Sequence, residues 1–380
     1  MGYKFSFTPA IVRYLQTIER VRERVHLTLL PPAITEELRL QAHIRSTHYS
    51  TRIEGNRLTL KETEEVIQQG RLFPGRERDV QEVECYYQAL QQMEIWVEEK
   101  KAVTEERLRK LHAILYHGRR ARPTPYRDGQ NVIREADGGI VYIPPEAKDV
   151  PGLMAELVAW INQASADQPV AVIAGAAHYQ FETIHPFYDG NGRAGRLLAT
   201  WILHLGSYDL GKFYALEEFH ANDLPGYYTA LVTHSHHNFY FGRNTADITP
   251  WLEYFLKGMA EVFEQVAGVI SNYSLDTITD EAVSLLRPLD ARARRVLGLF
   301  SRQEFILSAD VSRLIGISTR QARELLSQWV RQGWLEVENP SNRARKYRLA
   351  EKYRKIAERQ AGTPLHVKNA LLTRKEQSSW

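Results

Sequence analysis

Twelve consecutive residues, His185 to Arg196, bring together an imidazole, a carboxylate, three glycines and two guanidinium groups. That combination suits a phosphate. Gly190 and Gly192 flank Asn191, so the chain can turn sharply there and aim several backbone N–H groups into one concavity with no Cβ in the way. The apolar run at 197–204 follows directly and reads as a buried helix. The glycine loop is then that helix's N-terminus, where unpaired N–H groups and the helix dipole favour an anion. Arg193 and Arg196 are three apart, a spacing that puts both on one face of the first turns, able to clamp a polyphosphate. His185 alone in this stretch titrates near neutrality, which makes it the candidate general base. Asp189 lies between base and anion loop, placed to hold a divalent cation that bridges phosphate oxygens, with magnesium the default.

Composition bounds the setting of this chemistry. At 380 residues, 43% hydrophobic and 25% charged, the chain is ordinary globular material, long enough for two or three units at ~100–200 residues each. No apolar run reaches a membrane-spanning length, and the first residues lack the apolar core of a secretory leader. Cys85 is the only cysteine, which excludes an internal disulfide and suggests a reducing, cytoplasmic home. The net charge of +3 conceals a split: residues 287–380 carry 20 Lys or Arg against 9 Asp or Glu, a local +11, leaving −8 for the rest. Two bodies with different partners would carry charge in this way.

The elements that must position the site read mainly as helices. Amphipathic stretches span 9–25 and about 35–53, the second ending at Gly55. Thr59 and Glu62 form a capping box that opens the next helix, so Glu54 occupies a corner between two helices, either as a surface charge or paired with a buried cation. Helical patterns follow at 79–97 and 103–115, with His112 on an apolar face as a core histidine. Two β-type runs around Gly138 and Gly139 predict a hairpin whose edge would be free for an extended segment to join. Helices at 150–162 and 169–181 lead into the twelve-residue stretch, with His178 near it but given no chemistry. His234, His236 and His237 look like a metal set but lack accompanying cysteines, and are not read as one. Thr249 caps and Pro250 starts a helix predicted over 251–266.

A second unit begins near Pro288, with helices at 289–302 and 309–314, a Ser318-capped helix at 319–332, and β-runs at 333–337 and 347–349. This is a helix-turn-helix with a basic wing. Arg320, Gln321, Arg323 and Arg331 decorate its second helix, and Arg343, Arg345 and Lys346 the wing. DNA contact and protein docking both remain open for it. The polar tail at 356–380 is expected to be loosely ordered.

The stretch from His185 to Arg196 resembles the signature of Fic-domain proteins, His-Pro-Phe-x-Asp/Glu-Gly-Asn-Gly-Arg-x-x-Arg, and meets every fixed position. The flanks Ala177 to Ile184 and Gly195 to Leu198 also look like family sequence, and the resemblance covers roughly residues 35–265. It implies a mainly α fold: a Fic-type helical bundle with a β-hairpin flap, joined here to a small C-terminal domain that resembles a winged helix-turn-helix. The expected regions are 1–110, carrying an inhibitory helix; 111–270, the catalytic core; 288–355, the winged helix; and the tail. The implied activity is that of a protein adenylyltransferase, a nucleotidyltransferase that moves AMP from Mg-ATP to a Ser, Thr or Tyr hydroxyl of a target protein and releases pyrophosphate. His185 would deprotonate the hydroxyl and Asp189 hold Mg2+. Gly190, Asn191 and Gly192 would cradle the phosphates, with Arg193 and Arg196 completing the contacts. Ser50, Glu54 and Gly55 resemble the inhibitory-helix motif of members that restrain themselves; Glu54 would pair with Arg196 and take the space of the ATP γ-phosphate. Tyr214 to Phe219, Tyr227 and Tyr228 fall where the family places residues near adenosine. Removal of AMP, transfer of another phosphate-bearing group, and a DNA-bound regulator whose core senses ATP stay as alternatives, although an intact His185 argues against the last. The expected partner is a target protein, with no membrane; a homodimer stays open.

Overall fold

The computed structural model describes residues 3–28, 30, 32–134, 138–164, 167–276, 289–301, 303–315, 317–339 and 345–354. The turn residue Asp137, the wing residue Arg343 and the tail at 356–380 lie outside them. The chain divides into two units, Met1–Glu23 with Gln41–Glu264, and Arg24–Leu40 with Gln265–Trp380.

The larger unit draws on α1 (Pro9–Leu27), α2 (Pro32–Ile53), α3 (Leu60–Gln69), α4 (Glu77–Glu98), α5 (Glu105–His117), β1 (Ile133–Arg134), β2 (Ile140–Tyr142), α6 (Val150–Ala164), α7 (Val170–Ile184), α8 (Asn191–Leu205), α9 (Leu216–Asn222), α10 (Leu224–Leu231) and α11 (Thr249–Asp276). Its centre is α7, which is buried on nearly every side. A helix apolar all round has no solvent face to offer, so it must be surrounded. Helix α8 packs along it and also meets α4 and α5, while α6 covers another side. Phe181, Trp201 and Phe255 are fully buried around this pair, each worth ~1.5–3 kcal/mol of apolar transfer. The loop joining α7 to α8 is the His185–Gly190 stretch, so the most deeply packed pair of helices holds it at both ends.

Local chemistry sets the corner before α3: the Thr59 hydroxyl accepts from the Glu62 N–H, and the Glu62 carboxylate accepts from the Thr59 N–H. The hairpin forms as an antiparallel pair with Ile133 opposite Tyr142. Its edge is less free than expected. Beyond β2, Ile143 bridges in parallel to Asn238, taking a hydrogen bond from Phe239 N–H (3.0 Å) and donating one to His237 O (2.8 Å). Among the described residues, no strand pairs with the outer edge of β1. Helix α11 runs ten residues past the expected end at 266, and it begins at Thr249 itself rather than after it.

The smaller unit includes α12 (Ala291–Leu297), α13 (Ser308–Ile315), α14 (Thr319–Arg331), β3 (Leu335–Asn339) and β4 (Lys346–Leu349). The expected single helix over 289–302 instead ends at Leu297 and tightens into a 3₁₀ turn, Gly298–Ser301. Ser318 caps α14 in a box with Gln321, as its sequence position predicts. Strands β3 and β4 pair antiparallel, and Ile306 adds a bridge to Tyr347. Trp329, Trp334, Leu326 and Val311 fill the core of this unit. Among the described residues no helix is long and apolar enough to cross a membrane.

Candidate active site

His185 is the residue after the last turn of α7 and adopts φ 51°, ψ 61°. Its Nδ1 is buried with no hydrogen bond of normal geometry. Burial, reinforced by the positive charge of Arg127, outweighs support from the Glu182 backbone and pushes the imidazole down to about 4. The ring is thus neutral at physiological pH, the form a base requires. A reaction that uses this imidazole as its base is expected to keep kcat/KM flat between pH 7.5 and 5.5 and to bend only near 4. An acid limb at the ordinary histidine value of ~6.5 would show that burial does not lower this imidazole, or that another group sets the limb.

The anion loop turns at Gly190, where φ is 76°, a conformation that favours glycine, and no side chain caps the start of α8. Asn191 helps to shape the loop with its side chain, Oδ1 accepting from Phe187 N–H (2.9 Å) and Nδ2 donating to Phe187 O (2.9 Å). Only its backbone N–H is left to face a phosphate. Asp189 accepts from Gly190 N–H at 2.7 Å. Partial desolvation would raise this carboxyl, but hydrogen bonds from the Tyr116 hydroxyl and Gly190, together with Arg193, hold it below its ordinary value. It is ionised and exposed. A lone hard carboxylate beside an anion site fits magnesium, which is usually held by one or two carboxylates plus substrate phosphates. Among the described residues there is no cluster of three or more His, Cys, Asp or Glu that could hold a metal ion. Of the histidines at 234–237, His237 bonds through Nδ1 to Val141 O at 2.7 Å.

Both arginines are already held by a carboxylate; the partner of Arg193 was not foreseen in the sequence. Arg193 Nη1 meets Glu82 Oε1 at 2.5 Å, and its Nη2 donates to the Tyr116 hydroxyl at 2.9 Å. Arg196, 3% exposed, donates from Nη2 to Glu54 Oε1 at 2.7 Å and to Ser50 O at 2.9 Å, and from Nε to Ser50 Oγ at 2.9 Å. The corner at Gly55, with φ 93°, turns the chain just after Glu54. The Glu54 carboxylate also lies over the loop: a Cβ built on Gly192 would fall 2.3 Å from its Oε1. Only glycine admits that approach.

Several supporting groups carry no signal that sequence reading could use. Glu82 is one acid among many on an amphipathic helix. His112 is buried as expected, yet it is more than filler: Nε2 bonds to Asp189 O at 2.8 Å, Nδ1 to Thr124 Oγ1 at 3.0 Å, and the ring stacks on Phe187 at 3.7 Å. His178 bonds through Nε2 to the Tyr227 hydroxyl at 2.8 Å. Tyr227 is buried, whereas Tyr228 is 49% exposed. Glu182 keeps Oε1 buried without a partner, and burial pushes its carboxyl up to about 8.

Residues 102–203, which span α5 through the whole anion loop and most of α8, match the Fic/DOC family model. That stretch is similar to a Fic domain. The "Protein adenylyltransferase Fic" of Drosophila ananassae is 27% identical over 200 residues, covering 52% of this chain and 39% of the fly protein. Its counterpart in Drosophila virilis is 30% identical over 172 residues, covering 44% and 34%. The chain thus spans less than half the length of these curated relatives. Among solved structures, a Fic family protein from Desulfovibrio desulfuricans G20 superposes with a TM-score of 0.61 at 27% identity, covering 92% of this chain and 99% of that one. C. elegans Fic-1 (aa134–508) shares the fold at 19% identity, with a TM-score of 0.57 and coverage of 69% and 73%. Around the Fic loop, the structure brings His185, Asp189, Gly190, Asn191, Gly192, Arg193 and Arg196 into one site, and adds Ser50 and Glu54 to it.

Proposed function

We propose that this chain is a protein adenylyltransferase restrained by its own α2. One observation carries the reading: a carboxylate from outside the loop, that of Glu54, sits over Gly192 and on Arg196, where an anion site would bind a phosphate. The substrate is ATP. The neutral His185 takes the proton of a Ser, Thr or Tyr hydroxyl, whose oxygen attacks the α-phosphorus while pyrophosphate departs. The N–H groups at the start of α8 bind phosphate oxygens. Arg193 and Arg196 join them once they exchange Glu82 and Glu54 for phosphate. Asp189 would hold Mg2+, which when bound supplies charge neutralisation on the phosphates. The target peptide would add to the outer edge of β1, with which no strand of the described residues pairs. Incubation with α-labelled and, separately, γ-labelled ATP tests this. Label from the α position in protein supports AMP transfer, label from the γ position means kinase chemistry, and neither leaves a nucleotide sensor.

The smaller unit is read as a winged helix-turn-helix. The buried face of α14 takes Ala322, Leu325, Leu326 and Trp329 inward, which leaves Arg320, Gln321, Arg323 and Arg331 exposed. A polar, cationic helix face suits a phosphate backbone better than an apolar partner. Duplex affinity is therefore expected to fall steeply with salt, and to fall further in an Arg320→Ala, Arg323→Ala protein, with a salt slope shallower by about 2. Salt-independent or absent binding would assign the unit to protein docking.

A further inference from the structure

Arg127 is 3% exposed, yet among the described residues it forms no ion pair with a carboxylate. A buried cation needs compensation, and here backbone carbonyls supply it. Nε donates to His185 O at 2.9 Å, Nη2 to Ile184 O at 3.4 Å and to Pro145 O, and Nη1 to Gly129 O at 3.1 Å. Its own N–H donates to Pro186 O at 2.9 Å. Ile184 O and His185 O belong to the C-terminal end of α7, where carbonyls lack helical partners and the dipole is negative, so a guanidinium is well matched to them. Gly129 and Pro145 flank the hairpin on either side, before β1 and after β2.

His185, meanwhile, holds a left-handed backbone that a residue with a side chain rarely adopts. Its ring has no side-chain partner at Nδ1 to orient it. The bonds to His185 O and Pro186 O therefore hold the loop's backbone at the histidine itself, while Asn191 and His112 hold it further along, at Phe187 and Asp189. We propose that Arg127 is a positioning residue for the transfer reaction: its guanidinium fastens both roots of the hairpin to the backbone of His185, so that a hydroxyl presented by the hairpin meets the imidazole. This rests on the adenylyltransferase reading. A lysine cannot do the same, because one ammonium cannot span carbonyls arranged for a planar fork.

The test uses the full chain carrying Glu54→Gly, with Arg127→Lys and Arg127→Gln added separately. Both are expected to lower kcat by about 10²-fold while KM for ATP changes little, since a misplacement of about 1 Å costs that much in rate. Amide hydrogen exchange should quicken at 184–187 and stay unchanged in α8. Retained kcat in Arg127→Lys, or a loss of ATP affinity matching the loss of rate, overturns the proposal. So does a lowered melting temperature with exchange raised throughout the domain, which marks a merely structural residue. If the Glu54→Gly parent itself transfers no AMP, the adenylyltransferase reading fails; unchanged exchange at 184–187 in the Arg127 variants then refutes the clamp as well, and local quickening keeps it.

Discussion

Glu54→Gly is expected to raise AMP transfer on the order of 10²-fold, by rate more than by affinity. The Glu54 carboxylate holds Arg196 at 2.7 Å and stands over Gly192, so in the resting chain it competes with phosphate for both. Removing it frees a buried guanidinium that Ser50 still aims through Oγ and O. A preorganised donor directed at developing charge is worth about 10²–10³ in rate, which sets the size of the gain. Arg196→Ala breaks the same ion pair and should stay slow, because the group that is released has gone with it. That asymmetry separates release of a catalytic group from loosening of the α2 contact, under which both variants would speed up alike. Incorporation of α-labelled phosphate, with magnesium and a competent target present, reads both. A Glu54→Gly protein no faster than the parent would make Glu54 a surface charge or part of a hydrolytic site.

The second large effect is expected at the base. His185→Ala should lower transfer by about 10²–10⁴-fold while ATP still binds, because the α8 N-terminus, Arg193 and Arg196 are untouched. The fold should tolerate the change, since the Nδ1 of His185 makes no hydrogen bond that would be lost. Calorimetric titration of ATP beside the transfer rate decides it: an affinity that falls as far as the rate would show that His185 supports nucleotide binding rather than proton transfer.

How these two groups come to share a site separates what is local in this protein from what is not. The turn at Gly190, the capping boxes at Thr59 and Ser318, and the buried character of α8 were legible, because each rests on residues within one or two turns of one another. Side chain to backbone bonds across three positions need no knowledge of the fold. The loop's residue types likewise announced phosphate chemistry before any tertiary contact was known.

The partners of its arginines were another matter. Arg193 meets Glu82 across 111 residues and Arg196 meets Glu54 across 142. Nothing in the local sequence singles out Glu82 from the other acids of α4. Glu54 was singled out only through likeness to a known motif. The same holds for Ile143, whose pairing with Asn238 closes an edge that the hairpin alone would leave open. Arg127 shows the limit most clearly. Its residue type predicts a surface charge or a salt bridge, and only the tertiary structure, by bringing four carbonyls of three segments around one guanidinium, makes a buried arginine without a carboxylate stable there. The sequence by itself determined which residue types this loop offers for phosphate chemistry; packing decided which carboxylates meet its arginines and which groups hold it in place, because long-range pairing depends on where helices lie and not on which residues are neighbours in the chain.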